Sequence, residues 1–294
     1  MNYYNEIKTE IINNEITKKV KDYSKNRSDL NTYYNVGKLL SEAGKHYGEG
    51  IIKEYSKRLT SEFGKGYSTT RLRYIRRFYE VFSKCPSMTD KLSYTHYCEI
   101  IWFDENKINY YIKITEEQNL SVRELRSRIK NNEYERLDDK TKEKLKENKI
   151  NNEVTDYIKN PILINNKNNY TEISEKMLQK IILEDIPSFL DELGTGFTFI
   201  RNEYKIKIGD RYNYIDLLLF NYEFNCFVVV ELKVTELKKE HIGQILVYMN
   251  YIDNNLRKAT QDKTIGIIIC KKDNKFIIEY ASDKRILSRE YELV

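Results

Sequence analysis

Two runs of β-forming residues, each containing a carboxylate, constrain this chain more than any other feature. Asp216 follows Tyr214-Ile215 and precedes four apolar residues, and Glu231 directly follows three valines. Lys233 comes two residues after Glu231, and because side chains alternate across a strand, these two side chains share one face. A buried carboxylate is unfavourable unless a positive partner neutralises it. The pattern therefore predicts two neighbouring strands that bring Asp216 and Glu231 together beside a cation.

Two interpretations of that cation stay open. A divalent, oxygen-binding metal ion would neutralise both carboxylates and bind water, and Lys233 would stabilise negative charge that develops on a phosphate. The alternative is a salt bridge between Lys233 and Asp216 or Glu231, which is ordinary at the end of a strand. The second carboxylate, the spacing, and the predicted helices before and after these strands favour the metal site.

The periodicity of apolar residues changes near Asp138 and predicts an α+β protein of two domains. Residues 1–137 show helical spacing, which indicates an all-helical domain. Residues 138–170 are dense in charge and asparagine, which is typical of a linker that contains at most a solvated helix. Residues 171–294 follow the order helix, antiparallel strands, helix, strand, which predicts an α/β domain with a mixed central sheet flanked by helices.

The elements of the last domain can be placed along the sequence from apolar runs and glycine-containing turns. They are a helix at 174–193 interrupted by Pro187, strands at 197–200, 203–208, 212–220 and 227–234, a helix at 239–254, a strand at 264–270 and an edge strand at 276–280. The four cysteines, at positions 85, 98, 226 and 270, include no CxxC pair, so neither a zinc site nor a disulfide framework is expected. Cys226 and Cys270 fall in apolar runs and are predicted to be buried.

A helical pair in the first domain concentrates positive charge. The spacing predicts helices over 51–63 and 70–82, separated by Gly64-Lys65-Gly66, and this arrangement resembles a helix-turn-helix. Residues 51–84 hold nine basic and three acidic residues. The basic residues suited to nucleic-acid contacts are Lys65, Arg71, Arg73, Arg76 and Arg77. The alternative is a helical hairpin whose arginines only solvate its outer surface.

Charge and hydropathy limit the partners. Residues 1–170 hold 32 of the 50 basic and 25 of the 45 acidic residues, and this basic excess indicates contact with an anionic partner. No stretch approaches the roughly 20 apolar residues of a membrane span, and residues 1–10 lack the apolar core of a signal peptide. A cytoplasmic protein without membrane contact is expected. Tyr110, Tyr111 and Trp102 are predicted to lie in the core.

The combination of Asp216 with Glu231-Leu232-Lys233, a helix before it and a helix bearing Gln244 after it, resembles the PD-(D/E)XK nuclease superfamily. The local sequence is closer to the bacterial YhcG-type proteins, which join an uncharacterised helical domain to a PD-(D/E)XK domain. The stretches that carry this resemblance are 92–96, 121–125, 189–197, 214–218, 230–233, 243–250 and 265–270.

The resemblance implies hydrolysis of phosphodiester bonds that depends on Mg²⁺, with Mn²⁺ as an alternative ion. It implies that Asp216 and Glu231 hold the metal, that Lys233 stabilises charge, and that Gln244 is an additional polar residue of the active site. An acid from the first helix completes the metal site in this family. Glu184 is the first choice here, because its offset from Phe189 suits an acid position of the family, and Glu175 is the second. Another common position of that helix holds Gln179, which departs from the family pattern.

These expectations describe a DNA endonuclease whose helical domain binds DNA or a protein partner. RNA stays open as a substrate, and a homodimer is expected at the level of the family only. One alternative function is a catalytically silent nuclease fold that serves as a nucleic-acid-binding or assembly scaffold. Another is a defence or toxin-type component that acts only with a partner. The complete set of Asp216, Glu231 and Lys233 favours the enzyme.

Overall fold

The computed structural model describes residues 3–19, 25–84, 88–146, 153–280 and 283–294. Position 85, which holds one of the four cysteines, lies outside these residues, as do positions 147–152 of the predicted linker. The chain divides into two compact units, Met1–Tyr134 and Glu135–Val294. Among the helices described, none combines the length and the apolar character needed to cross a bilayer.

The first unit is all-helical within its described residues, as predicted. Its helices are α1 (Tyr3–Lys19), α2 (Lys25–Tyr47), α3 (Gly50–Phe63), α4 (Thr69–Phe82), α5 (Tyr94–Ile100), α6 (Glu105–Glu117) and α7 (Val122–Lys130). A capping box precedes α7, since Ser121 and Glu124 exchange side-chain to backbone hydrogen bonds.

Helices α3 and α4 form the predicted pair because the sequence between them both ends one helix and starts the next. Gly64 ends α3 with a φ of 90°, which favours glycine. The Ser68 hydroxyl accepts a hydrogen bond from the Arg71 backbone N–H and caps α4. The apolar face of α4 is buried, including Leu72 and Phe78.

A close approach between α2 and α4 explains a glycine inside a helix. A Cβ atom added to Gly37 would lie 2.4 Å from the Ile75 carbonyl oxygen, so only glycine fits where these helices cross. Tyr110 and Tyr111 are buried as predicted. The prediction for Trp102 is wrong, because its side chain is 55% exposed and its ring lies beneath the Arg77 guanidinium.

The second unit is built on a mixed six-stranded sheet. Its elements are α8 (Asp139–Lys146), β1 (Ile162–Ile164), α9 (Glu175–Glu184), α10 (Ile186–Leu193), β2 (Phe197–Ile208), β3 (Arg211–Asn221), β4 (Cys226–Glu236), α11 (Lys239–Asn255), β5 (Ile265–Lys272), α12 (Lys275–Glu279) and β6 (Ile286–Leu293). The strand order is β1-β6-β5-β4-β3-β2. β2, β3 and β4 pair antiparallel, and β4, β5, β6 and β1 pair parallel. The predicted α/β architecture with a mixed central sheet is therefore confirmed.

Two apolar cores cover this sheet. One contains residues of α9 and α10 together with Val228, Val230 and Leu232 of β4. The other contains residues of α11 together with Val229 of β4. Alternate side chains of β4 therefore enter different cores, as expected for a central strand buried on both faces. Cys226 and Cys270 are fully buried, as predicted.

Several predicted elements differ from the structure. Residues 162–164 of the predicted linker form β1, which pairs with β6 and buries Ile162 and Ile164 in a core. The predicted edge strand at 276–280 is wrong, because this segment forms the short helix α12. The last strand is instead β6, which the sequence analysis missed because charged residues interrupt its apolar pattern. The two strands predicted at 197–200 and 203–208 are one strand with an irregularity between Phe199 and Arg201.

Candidate active site

The sheet brings Asp216 of β3 beside Glu231 and Lys233 of β4. The backbone N–H of Leu232 donates a hydrogen bond of 2.8 Å to Oδ2 of Asp216, which fixes this carboxylate between the two β4 side chains. Gln179 of α9 donates from Nε2 to the Asp216 carbonyl oxygen at 2.9 Å. The position of Asp216 is therefore held both by the neighbouring strand and by the helix that packs on it.

Glu231 is buried with one oxygen unsatisfied. Its side chain is 2% exposed, its Oε2 lies 3.3 Å from Nζ of Lys233, and its Oε1 has no hydrogen-bond partner. Burial and the neighbouring charge of Asp216 raise the pKa of Glu231 to about 8. Burial also raises the pKa of Asp216. Both carboxylates thus lie where negative charge is unfavourable without a further cation.

Lys233 forms the salt bridge that the alternative interpretation predicts, but it does not neutralise the cluster. Its Nζ lies 3.3 Å from Glu231 and 3.7 Å from Oε2 of Glu175. The charges of Glu231 and Glu175 raise the pKa of Lys233 against the opposing effect of burial, so this ammonium stays charged. Three acidic side chains, counting Asp216, act on one ammonium, so Lys233 alone cannot neutralise all three in their ionised form.

The first helix presents Glu175 to the site and not Glu184. Glu175 is the first residue of α9, and it lines an open cleft of about 500 Å³ together with Asp216. Glu184 is the last residue of α9. Its carboxylate accepts hydrogen bonds from Asn168 at 2.8 Å and from Tyr170 at 3.0 Å. The first choice of acid is thus not brought to Asp216, because nine residues of helix separate it from the end that faces β3 and β4.

Gln244 of α11 contacts Tyr248 of the same helix, and Tyr248 lies near the acidic cluster. The Nε2 atom of Gln244 donates a hydrogen bond of 3.1 Å to the Tyr248 hydroxyl. Burial raises the pKa of Tyr248, and the charges of Glu231, Lys233 and Asp216 also act on it. Gln244 therefore lies at the margin of the cluster.

Glu203 is a cleft residue that the sequence analysis missed. It lines the cleft with Glu175 and Asp216, and its charge contributes to the raised pKa of Asp216. Counting back from the tight turn between Ile208 and Arg211 places Glu203 opposite Asp216, so the turn was a signal that could have found it. The cleft also contains Gln179, which the sequence analysis noted only as a departure from the family pattern.

The donor set suits an oxygen-binding divalent ion at Asp216 and Glu231. Both residues offer carboxylate oxygens, which Mg²⁺ prefers, and the unsatisfied Oε1 of Glu231 gives one such oxygen no other partner. Mg²⁺ is commonly held by one or two carboxylates and completes its shell with water and phosphate oxygens. Among the described residues, no group of three or more histidine, cysteine or acidic side chains is arranged to hold a metal ion. The fit to a divalent ion therefore rests on the carboxylates of Asp216 and Glu231.

The basic residues predicted to bind nucleic acid in the first unit have different surroundings. Arg71 donates to the Tyr33 hydroxyl, Arg76 forms a bidentate pair with Glu49 at 2.7 and 2.8 Å, and Arg77 donates to the Ile101 carbonyl oxygen. Lys65 and Arg73 are exposed. Three of the five side chains thus have hydrogen-bond partners within the unit, although Arg71 is exposed like Lys65 and Arg73.

This fold and this constellation are those of a PD-(D/E)XK nuclease domain. Residues 155–294 match the family model of the YhcG PDDEXK nuclease domain, and residues 6–136 match that of the DUF1016 N-terminal domain. The chain therefore belongs to the proteins that join a DUF1016 N-terminal domain to a YhcG nuclease domain. It is 24% identical, over 309 aligned positions, to the Escherichia coli (strain K12) protein named "Putative nuclease YhcG", covering 89% of this chain and 82% of that protein.

Solved structures match the chain over a smaller region. A repair endonuclease from Pyrococcus abyssi is 18% identical with a TM-score of 0.29, and the match covers 42% of this chain and 48% of that one. A structure described as an EndoMS-dsDNA2 complex is 20% identical with a TM-score of 0.28, covering 43% of this chain and 48% of that one. The chain thus spans about half the length of each of these proteins.

Proposed function

We propose that the second unit hydrolyses phosphodiester bonds of DNA with a divalent cation held by Asp216 and Glu231. The observation that carries this proposal is the buried, unsatisfied Oε1 of Glu231 beside Asp216. A buried carboxylate whose pKa is raised to about 8, next to a second buried carboxylate, serves no evident structural purpose. A cation bound there would restore the charge of both side chains.

Each residue has a distinct role in this proposal. Leu232 fixes the Asp216 carboxylate through its backbone N–H, and Gln179 fixes the backbone of the same residue. Glu231 and Glu175 hold the Lys233 ammonium, which offsets the charge that develops on the phosphate in the transition state. Mg²⁺, or Mn²⁺ in its place, supplies a water of lowered pKa and polarises the phosphate when bound.

The first unit is proposed to bind DNA or a protein partner. In this proposal the helices α3 and α4 act as a helix-turn-helix, and exposed Lys65 and Arg73 are the residues that suit phosphate contacts best. Arg71, Arg76 and Arg77 would have to leave their present partners to contact a nucleic acid. RNA as a substrate, a homodimer, a defence role and a cytoplasmic location stay predictions.

Incubation of the full chain with supercoiled plasmid tests the activity. Wild-type protein is expected to nick plasmid with Mg²⁺ or Mn²⁺ and to leave it intact in EDTA. Lys233→Ala is expected to lower the nicking rate by about 100-fold or more, the cost typical of removing one transition-state charge stabiliser. Lys258→Ala, at an exposed lysine after α11, is the control and is expected to nick like wild type.

Two results would count against this function. Nicking that Lys233→Ala retains would assign the activity to another site or to a contaminant. Plasmid that stays intact with both metals, together with DNA binding that EDTA leaves unchanged, would select the catalytically silent scaffold.

A further inference from the structure

β2 and β3 continue beyond the rest of the sheet as a two-stranded ribbon. β3 pairs with β4 only from Leu217 to Asn221 in the part of the chain that the structure describes, whereas its pairing with β2 reaches back to Arg211. β2 is an edge strand. Among the described residues, the segment of β3 that precedes Leu217 thus pairs with one strand, β2. Its other support is the core that one of its faces packs against.

The two faces of this ribbon differ in composition. Ile206 and Ile215 are buried in the core on the α11 side. The opposite face carries two lysines and two tyrosines, which pair across the strands as Lys205 with Tyr214 and Lys207 with Tyr212. All four of these side chains are exposed, and the exposed fractions of Tyr212 and Tyr214 are 56% and 53%. We call these four residues the ribbon face: Lys205, Lys207, Tyr212 and Tyr214.

The ribbon face leads into the candidate active site. Tyr214 precedes Asp216 by two residues on the same strand, so the two side chains alternate onto the same side of it. Tyr214 also lines the cleft that contains Asp216, Glu175 and Glu203. A bound polymer that lay along the ribbon face would therefore reach Asp216 along one continuous surface.

We propose that the ribbon face binds an unpaired segment of nucleic acid and delivers the adjoining phosphate to the cleft at Asp216. This inference rests on the proposed nuclease function and adds the class of substrate, namely a strand that is single or locally unpaired beside the cleavage site.

Charge complementarity requires an attractive surface of this kind. The cleft presents three acidic residues, Glu175, Glu203 and Asp216, and one basic residue, Lys176, so its acidic excess repels a polyanion. Further attraction has to come from beside the cleft, and the exposed Lys205 and Lys207 provide it on the same ribbon as Tyr214. Phosphate contacts of this kind position a strand without reading its sequence.

The tyrosines explain the preference for unpaired bases. Residues two apart on one strand lie about 6.8 Å apart, which leaves room for one base between the rings of Tyr212 and Tyr214. Bases stack on exposed aromatic rings when their faces are not covered by neighbouring base pairs. The Lys205 ammonium lies 3.8 Å from the centroid of the Tyr212 ring, so this ring already attracts a cation. The flexible lysine stem lets the ammonium turn to a phosphate when a strand binds.

Binding measured without cleavage tests the inference independently of the proposed function. Fluorescence anisotropy would follow a labelled single-stranded DNA of about 20 nucleotides, longer than a typical single-strand site, and the duplex of the same sequence, both in EDTA. The full chain is expected to bind the single strand more tightly. The double variant Tyr212→Ala/Tyr214→Ala is expected to weaken single-strand binding at least about tenfold and duplex binding by less than about twofold.

Two further variants separate stacking from a general disturbance. Tyr212→Phe/Tyr214→Phe keeps the rings and is expected to bind the single strand like wild type. Tyr222→Ala removes a 65% exposed tyrosine in the turn at the far end of β3, and no change is expected. Lys205→Gln/Lys207→Gln is expected to weaken binding to both forms and to lower its salt dependence.

The results distinguish this inference from the proposed function. Wild-type protein that fails to bind the single strand, or a tyrosine double variant that binds it unchanged, would overturn the inference even if plasmid nicking occurs. Loss of single-strand binding in the Phe variant would overturn stacking as its basis. Single-strand binding that depends on the tyrosine rings, in a protein that nicks no plasmid, would support the role of the ribbon face. The same result would contradict the proposed catalysis.

Discussion

Several charged side chains on α4 of the first unit have matching partners, whereas the acidic side chains of the candidate active site in the second unit lack a full set. On α4, Arg76 and Arg77 are matched by Glu49 and by the Ile101 carbonyl oxygen. Around Lys233, by contrast, three carboxylates share one ammonium, and Oε1 of Glu231 has no partner. The basic cluster on α4 is the more conspicuous in the sequence, yet the structure uses much of it to hold the unit together.

This difference shows that unsatisfied charge, and not charge count, marks the stronger candidate for a functional site. A salt bridge or a hydrogen bond to a carbonyl consumes the capacity of a side chain to bind something else. A buried carboxylate without a full set of partners lowers stability, and such strain persists where function requires it.

The largest effect is expected from pH on the metal-free protein. The pKa of Glu231 is raised to about 8 from an ordinary value of 4.5. The folded state therefore binds a proton that the unfolded state has released between these values, and the contribution of Glu231 to the free energy of unfolding falls as pH rises through that window. Glu231→Gln is expected to match wild type near pH 4.5 and to be more stable near pH 8.5, by an amount on the order of 3 kcal/mol.

Chemical denaturation in EDTA at both pH values measures this effect. The difference between wild type and Glu231→Gln isolates one group, because the other titrating side chains are common to both proteins. A difference that stays constant across the pH range would show that folding does not raise the pKa of Glu231.

A smaller effect is expected from the two acids at opposite ends of α9. Glu175→Gln removes a carboxylate that holds Lys233, and a change of this kind typically lowers activity by about 10 to 100-fold. Glu184→Gln changes a carboxylate bound to Asn168 and Tyr170, and cleavage within about twofold of wild type is expected, in line with an exposed position. Plasmid nicking rates compare the two, and a greater loss in Glu184→Gln would reverse the assignment.

The smallest effect is expected on α4. Arg77→Ala removes a hydrogen bond to a carbonyl oxygen and a contact with the Trp102 ring, and is expected to lower the free energy of unfolding by about 1 kcal/mol. Arg73→Ala changes an exposed side chain and is expected to alter stability by less than about 0.5 kcal/mol. Denaturant titration measures both, and equal losses would remove the distinction between matched and exposed arginines.

The sequence predicted the parts of the second unit whose signals are local. Apolar runs located β3, β4 and β5, and the alternation rule put Glu231 and Lys233 on one face. The placement of β6 depends on pairing with β5, and the charged residues in β6 hide that partner. The segment at 276–280 has a strand-like composition, but it forms a helix whose Ile277 and Ile278 pack on the α11 side of the sheet.

The candidate site was predictable where strands define it and not where a helix defines it. Asp216, Glu231 and Lys233 follow from the strand pattern and the family resemblance together. The choice between Glu175 and Glu184 depends on which end of α9 faces β4, and this orientation comes from packing that no local pattern shows. The helix-turn-helix pattern likewise located α3 and α4, but it could not show that Arg71, Arg76 and Arg77 have partners within the unit.

Calorimetric titration of the full chain with Mn²⁺ shows whether Asp216 and Glu231 hold a metal ion, because it measures metal binding without requiring cleavage. Wild-type protein is expected to bind the ion and to release protons near neutral pH, since binding displaces the proton that Glu231 holds. Asp216→Asn and Glu231→Gln are each expected to abolish this binding, and Glu184→Gln is expected to retain it. Binding of equal affinity in Asp216→Asn and Glu231→Gln would contradict the account, because the metal would then lie elsewhere.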